Sequence, residues 1–209
     1  MTKAGRLRAI SFAIVLALLL VPGGSAHAQR DTLVIADFDG GKAETRSGLS
    51  LWPFCDEQYG GTSQARVSLI HPGAGGSGGA VRISFRITGD SPTPFAGAWA
   101  MVGPEGLVTD LSAYRGVRFD ARSKTASAFT AGIVRFPGQL KRYMTPFTVG
   151  EDWTLVDLPF EKFQLVAAPG APADASPLDA KDITSIGVAV VSKLRGEFAL
   201  DIDRIEFYR

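Results

Sequence analysis

Ala80-Val81-Arg82-Ile83-Ser84-Phe85-Arg86-Ile87-Thr88 is the stretch on which the fold turns. Val81, Ile83, Phe85 and Ile87 take every second position, with Arg82, Ser84 and Arg86 between them. Successive side chains of an extended chain point to opposite faces, so this spacing predicts a strand with one apolar and one wet face. One-sided strands belong to antiparallel sheets, which pack one face on a core and leave the other to solvent. Val117, Phe119 and Ala121 alternate in the same way with Arg118, Asp120 and Arg122.

Further short runs rich in β-branched and aromatic residues, punctuated by Gly, Pro, Ser and Asp, predict strands at 32–38, 64–70, 95–102, 128–136, 143–149, 153–158, 185–191 and 197–207. Helical spacing is scarce, with short turns expected at 111–114, 160–163 and 180–183. Many short strands without a long helix predict an all-β fold, a two-sheet antiparallel β-sandwich or jelly roll. An up-and-down barrel competes, but the connections vary too much in length to favour it.

The last strand contains a phase error. Phe198, Leu200 and Ile202 share one phase, while Ile205 and Phe207 take the opposite one. A one-residue slip turns every following side chain to the other face, so a bulge is expected near Asp203-Arg204. Asp203 would sit at the kink, aimed at a metal or a neighbouring loop. The glycine-rich 71–79 and the Pro/Ala-rich 167–177 read as flexible connectors.

Lys3, Arg6 and Arg8 precede an apolar run from Ala9 to Val21, which Pro22-Gly23-Gly24 ends before Ala26-His27-Ala28. That order of charge, short apolar core and small-x-small site predicts a cleavable signal peptide over 1–28 and a single domain over 29–209. The core is too short for a membrane span, and no cysteine follows the cleavage site to carry a lipid. The expected product is exported, periplasmic or secreted, with no stable membrane anchor. Cleavage removes three cations and no acid, which turns the formal +1 into −2. Without a clustered basic face, nucleic acid is not an expected partner. The lone Cys55 has no partner for a disulfide and reads as an inert, buried thiol.

The run from His71 to Gly79 lacks the Gly-Lys-Ser/Thr ending of a phosphate loop and leads into a strand. His71 is the only histidine left after cleavage. A catalytic triad needs a rigidly held base, which a glycine-rich loop does not offer. Asp56-Glu57 and Glu151-Asp152 are adjacent pairs that read as solvated turn charges, and no Cys/His cluster suggests zinc. The expectation is a protein without catalytic residues; a carbohydrate-active enzyme would need an acid and base pair that the sequence does not place. Among the aromatics, Trp99 and Trp153 read as core and Tyr143 lies in a predicted strand. Trp52 and Tyr59 flank the polar Asp56-Glu57-Gln58 and are the candidate ligand-binding residues. The acidic groups Asp37-Phe38-Asp39 and Asp201-Ile202-Asp203 lie in terminal strands, where they would either face solvent or share a calcium ion through oxygen ligands.

A series of motifs then suggests a family. Asp37-Phe38-Asp39-Gly40, Tyr59-Gly60-Gly61-Thr62-Ser63, Asp110-Leu111-Ser112-Ala113-Tyr114-Arg115-Gly116-Val117 and Trp153-Thr154-Leu155-Val156-Asp157-Leu158-Pro159-Phe160 with Phe163 occur in order. Pro177-Leu178-Asp179, Ile183-Thr184-Ser185-Ile186-Gly187 and Gly196-Glu197-Phe198-Ala199-Leu200-Asp201-Ile202-Asp203 complete them. This set resembles the complex I intermediate-associated protein 30 domain, which is similar to galactose-binding-like jelly rolls, including family 11 carbohydrate-binding modules. The resemblance implies a galactose-binding-domain-like fold and a non-catalytic module that binds a protein partner or a polysaccharide. It implies no required cofactor, with Asp39 and Asp203 as the ligands of a possible structural calcium. Members in mitochondria act as assembly factors for respiratory complex I; the export signal of this chain points away from that compartment.

Overall fold

The computed structural model describes residues 32–126, 128–136, 138–166, 176–191 and 195–209. The leader expected at 1–28 and most of the 167–177 loop lie outside them. The described residues form twelve strands: β1 (Thr32–Ala36), β2 (Trp52–Cys55), β3 (Gln64–Ile70), β4 (Ala80–Ile87), β5 (Phe95–Met101), β6 (Gly116–Arg122), β7 (Ala128–Arg135), β8 (Lys141–Thr148), β9 (Thr154–Pro159), β10 (Gln164–Leu165), β11 (Ile183–Val191) and β12 (Gly196–Tyr208). The only helical elements among the described residues are short 3-10 turns, such as Asp56–Tyr59 and Phe160–Lys162.

The strands pair antiparallel into two six-stranded sheets. Sheet one runs β3-β4-β12-β6-β9, with β1 also on β12, and sheet two runs β10-β8-β7-β11-β5-β2. This is the expected sandwich. Alternation sends Ile83, Phe85, Phe119, Leu200 and Ile202 of sheet one against Phe129, Ile133, Tyr143, Phe147 and Ile186 of sheet two. The Phe119 ring meets Phe147 edge-on at 5.4 Å, a favoured aromatic geometry. Removal of each such side chain from water stabilises the fold by about 1.5–3 kcal/mol.

The expected bulge is present. Asp203 pairs with Asp120 and Glu206 with Arg118, so β12 advances three residues while β6 advances two. Arg204 takes up the extra residue at φ 46°, and Ile205 and Phe207 turn back into the core. On the outer face of sheet one, Asp201 accepts a bidentate pair from Arg82 at 2.7 and 2.9 Å and a third bond from Arg122 at 3.0 Å. Glu206 bridges Arg118 at 2.6 Å and Arg204 at 3.2 Å.

Two strands were not expected. β2 contains Pro53 and sits at the edge of sheet two, the place where a missing N–H is tolerated. β10 has only two residues. Cys55 is half-buried and unpaired, against the core rather than fully within it.

Candidate ligand-binding face

Ala96, Ala98 and Ala100 of β5 point into the core, which leaves Phe95, Gly97 and Trp99 on the outer face of sheet two. Trp99 is therefore not the interlayer core residue expected from its apolar surroundings. It is buried because it lies flat on its own sheet: a Cβ at Gly187 would stand 2.2 Å from Trp99 Cε3, and one at Gly132 would stand 2.8 Å from Cη2. Phe54 does the same over Gly97, where a Cβ would come within 2.4 Å of its ring. The glycines sit on β5, β11 and β7, and their missing side chains form the bed for the rings.

The rings form a chain. Phe54 stacks on Trp99 at 5.0 Å and 19° and meets Phe95 at 5.9 Å, and Tyr59 meets Phe95 edge-on at 5.9 Å. Trp52 stands opposite Trp99 in the β2–β5 register. The two residues singled out from the sequence are the open ends of this strip, with Trp52 55% and Tyr59 59% exposed.

The turn that carries Tyr59 is anchored by Asp56. This residue is wholly buried, which corrects its reading as a solvated charge; Glu57 beside it is exposed. The Asp56 carboxylate accepts the Ser63 N–H at 3.0 Å, the Ser63 hydroxyl at 2.9 Å and the Phe95 N–H at 3.4 Å. Gly60 closes the turn at φ 77°, a conformation suited to glycine. At Gly61 a Cβ would stand 2.2 Å from Asp56 Cγ, so only glycine fits. The Tyr59-Gly60-Gly61-Thr62-Ser63 motif is thus a device that holds Tyr59 on the sheet face. Its signal was legible as a motif, but the anchor Asp56 was not, because burial is a tertiary property.

The other aromatics go elsewhere. Tyr143 is fully buried in the core, and its hydroxyl has no hydrogen-bond partner among the described residues. Trp153 was expected in the core, but it is half-buried on the outer side of sheet one, with the Arg122 guanidinium 4.5 Å above its ring.

Asp39 and Asp203 do come to one place, on either side of the 71–79 loop. Asp39 Oδ1 accepts the N–H groups of Gly78 and Gly79 at 2.7 and 3.3 Å. Asp203 Oδ2 accepts the Ala74 N–H at 2.8 Å and the Ser77 hydroxyl at 2.6 Å, while Oδ1 takes the Arg204 N–H at 2.7 Å. The loop is therefore clasped by both carboxylates, at Ala74 and Ser77 and at Gly78 and Gly79, not a free connector, and the kinked carboxylate aims at a loop. In this arrangement both oxygens of Asp203 and Oδ1 of Asp39 accept N–H and O–H groups, a role that needs no metal. Among the described residues no three His, Cys, Asp or Glu side chains gather to hold a metal.

Asp120 stands opposite Asp203 in register. Burial first, and then the Asp203 and Glu206 charges, hold its carboxyl above the usual range, against the pull of Arg204 and Arg118. Asp203 itself is only 2% exposed beneath the loop, out of reach of a substrate.

A profile of the Complex I intermediate-associated protein 30 (CIA30) family matches residues 42–202. A search of curated protein sequences returns no match. Among solved structures, the chain is similar to the family 11 carbohydrate-binding module of cellulosomal cellulase Lic26A-Cel5E of Clostridium thermocellum. The two are 18% identical with a TM-score of 0.62, over 85% of this chain and 94% of the module. A family 11 module from Clostridium thermocellum in complex with a β-1,3-1,4-mixed-linked tetrasaccharide aligns at 19% identity and TM-score 0.62, over 85% and 95% of the two chains. The family 30 module of cellulosomal cellulase Cel9D-Cel44B of Clostridium thermocellum aligns at 15% identity and TM-score 0.54, over 75% and 90%. At these identities the likeness is one of fold.

Proposed function

The chain belongs to the Complex I intermediate-associated protein 30 family, and from that premise we propose that it is an exported, non-catalytic module that holds a glycan on the outer face of sheet two. The observation that carries this is the aromatic strip on that face, in which Phe54 and Trp99 are stacked and Tyr59 stands edge-on to Phe95. Trp99 and Phe54 lie on glycines, and beside them Trp52 and Tyr59, each more than half open to solvent, offer apolar surface onto which pyranose rings stack. The sandwich beneath supplies rigidity, so little order has to be gained on binding. No cofactor is required. The leader over 1–28 supports a place outside the cytoplasm, and amino-terminal sequencing of the protein recovered from periplasm or medium, with Gln29 first, tests it.

The decisive experiment is a glycan array with the purified protein. Retention of a glycan, lost in Trp52→Ala and Tyr59→Ala while the melting temperature holds, is the expected result. Absence of binding to any glycan at millimolar concentration, together with capture of a defined protein that the same variants release, would move the reading to a protein partner. The name of the family favours that second reading, as an assembly factor for a membrane or respiratory complex.

A further inference from the structure

Sheet one carries an arginine cluster that its ion pairs do not use up. Across β3, β4 and β12, Arg66, Ser84 and Ala199 stand in one row, because Arg66 pairs with Ser84 and Ser84 with Ala199. The rows on either side bring Arg86, opposite Gln64 and Glu197, and Arg82, opposite Ser68 and Asp201. All these side chains are on the wet phase of their strands. Arg66 is thus a diagonal neighbour of both Arg82 and Arg86 across the small Ser84, within reach of long side chains.

Arg82 is paired with Asp201, whose carboxylate it shares with Arg122. Arg66 and Arg86 have no ion-pair partner among the described residues, and Glu197 makes none with Arg86 although it stands opposite in register. Thr125, bonded through its hydroxyl to the Ala199 N–H at 2.7 Å, stands beside the row at β12. The result is a groove of about 740 Å³, whose lining includes Arg66, Arg82, Arg86, Ser84 and Thr125. Phe54 lines the same groove, and it is a member of the aromatic strip. The groove therefore joins the stacking face to the guanidinium groups across the β2 and β3 edges.

We propose that this groove selects an acidic glycan, one whose sugar rings lie on the aromatic strip and whose carboxylate or sulfate groups are held by Arg66 and Arg86. This rests on the glycan reading above and gives it a substrate class. Guanidinium groups meet planar oxyanions with paired N–H bonds. The cost of setting like charges side by side on one sheet face is relieved when such an anion enters. The carboxylate of Glu197 faces the same groove and sets an upper bound on its preference for polyanions.

Titration calorimetry with oligogalacturonate, a heparin-derived oligosaccharide and a neutral mixed-linked β-glucan tests this. The acidic ligands are expected to bind about tenfold or more tightly than the neutral one at low salt and to lose that advantage as salt screens the charges. Oligogalacturonate against heparin separates carboxylate from sulfate as the bound group. Arg66→Gln with Arg86→Gln should remove the preference and flatten the salt dependence, leaving neutral-glycan binding and melting temperature as they were. Arg66→Lys with Arg86→Lys should retain part of it, since charge remains while the planar fork is lost. Equal affinity for acidic and neutral glycans overturns the proposal and leaves the aromatic reading standing. Acidic binding that ignores Trp52→Ala but falls in the arginine variant keeps the groove and removes the aromatic strip. Poly-glutamate bound as tightly as oligogalacturonate would overturn it in favour of an acidic protein segment.

Discussion

Ser63 donates both its backbone N–H and its hydroxyl to the Asp56 carboxylate, at 3.0 and 2.9 Å, beneath the turn that presents Tyr59. This pairing ties the edge strand β2, the 3-10 turn and the start of β3 into one unit. Asp56 touches no solvent, so its effect on any ligand is through position. Asp56→Ala orphans the buried donors of Ser63 and removes the acceptor of the part-buried Phe95 N–H, and should cost about 1–3 kcal/mol of stability. Urea unfolding measures that, and glycan binding should weaken even at temperatures where the variant stays folded. Unchanged unfolding would mean that the carboxylate does not anchor the turn.

Gly187 gives a second handle on the same face. Gly187→Ala would place a Cβ 2.2 Å from Trp99 Cε3, and the indole would have to lift from the sheet. Overpacking of this kind costs about 1–3 kcal/mol. The expected outcome is a lower melting temperature, a changed near-ultraviolet dichroism and weaker glycan binding, all from one methyl group.

These two positions also mark what the sequence could tell. Alternation in 80–88 and in β6 was enough for the sandwich, because period-two spacing is a local property. The slip between Ile202 and Ile205 was enough for the bulge. Trp99 was misplaced because the apolar run at 95–102 has no wet phase to betray its outer face; its burial depends on Gly132 and Gly187, far away in sequence. β2 was missed because Pro53 reads against a strand, and only the fold reveals that it is an edge. Trp52 and Tyr59 were legible through their polar neighbours, whereas Asp56 was hidden by those same neighbours.

The core offers a check on the sandwich itself. Phe119 is 1% exposed and meets Phe147 across the two sheets. Phe119→Ala should cost about 3–5 kcal/mol, and chemical denaturation would read it as a large fall in midpoint with little change in slope.

The clasp on the 71–79 loop separates two roles for Asp203. As an acceptor of the Ala74 N–H and the Ser77 hydroxyl, it should stabilise the fold without any metal. Asp203→Ala is expected to cost about 1–3 kcal/mol to the same extent in chelator and in calcium. A melting temperature of the unaltered protein that rises with calcium, and a rise lost in Asp203→Ala, would instead show a bound ion by linkage.

Asp120 makes stability depend on pH in a defined direction. Its carboxyl is raised in the folded protein, chiefly by burial and then by the Asp203 and Glu206 charges. The folded state therefore holds the proton more tightly than the unfolded chain does. Stability falls as pH rises from the ordinary value of 3.8 through the raised folded value, and it stays lower above that window. Asp120→Asn keeps the shape and removes the charge. It should raise the melting temperature at pH 7, where the unaltered carboxylate is ionised, and give no gain at pH 3, where both are neutral. A variant whose melting temperature tracks the unaltered protein at both pH values would show that Arg118 and Arg204 offset the burial in full.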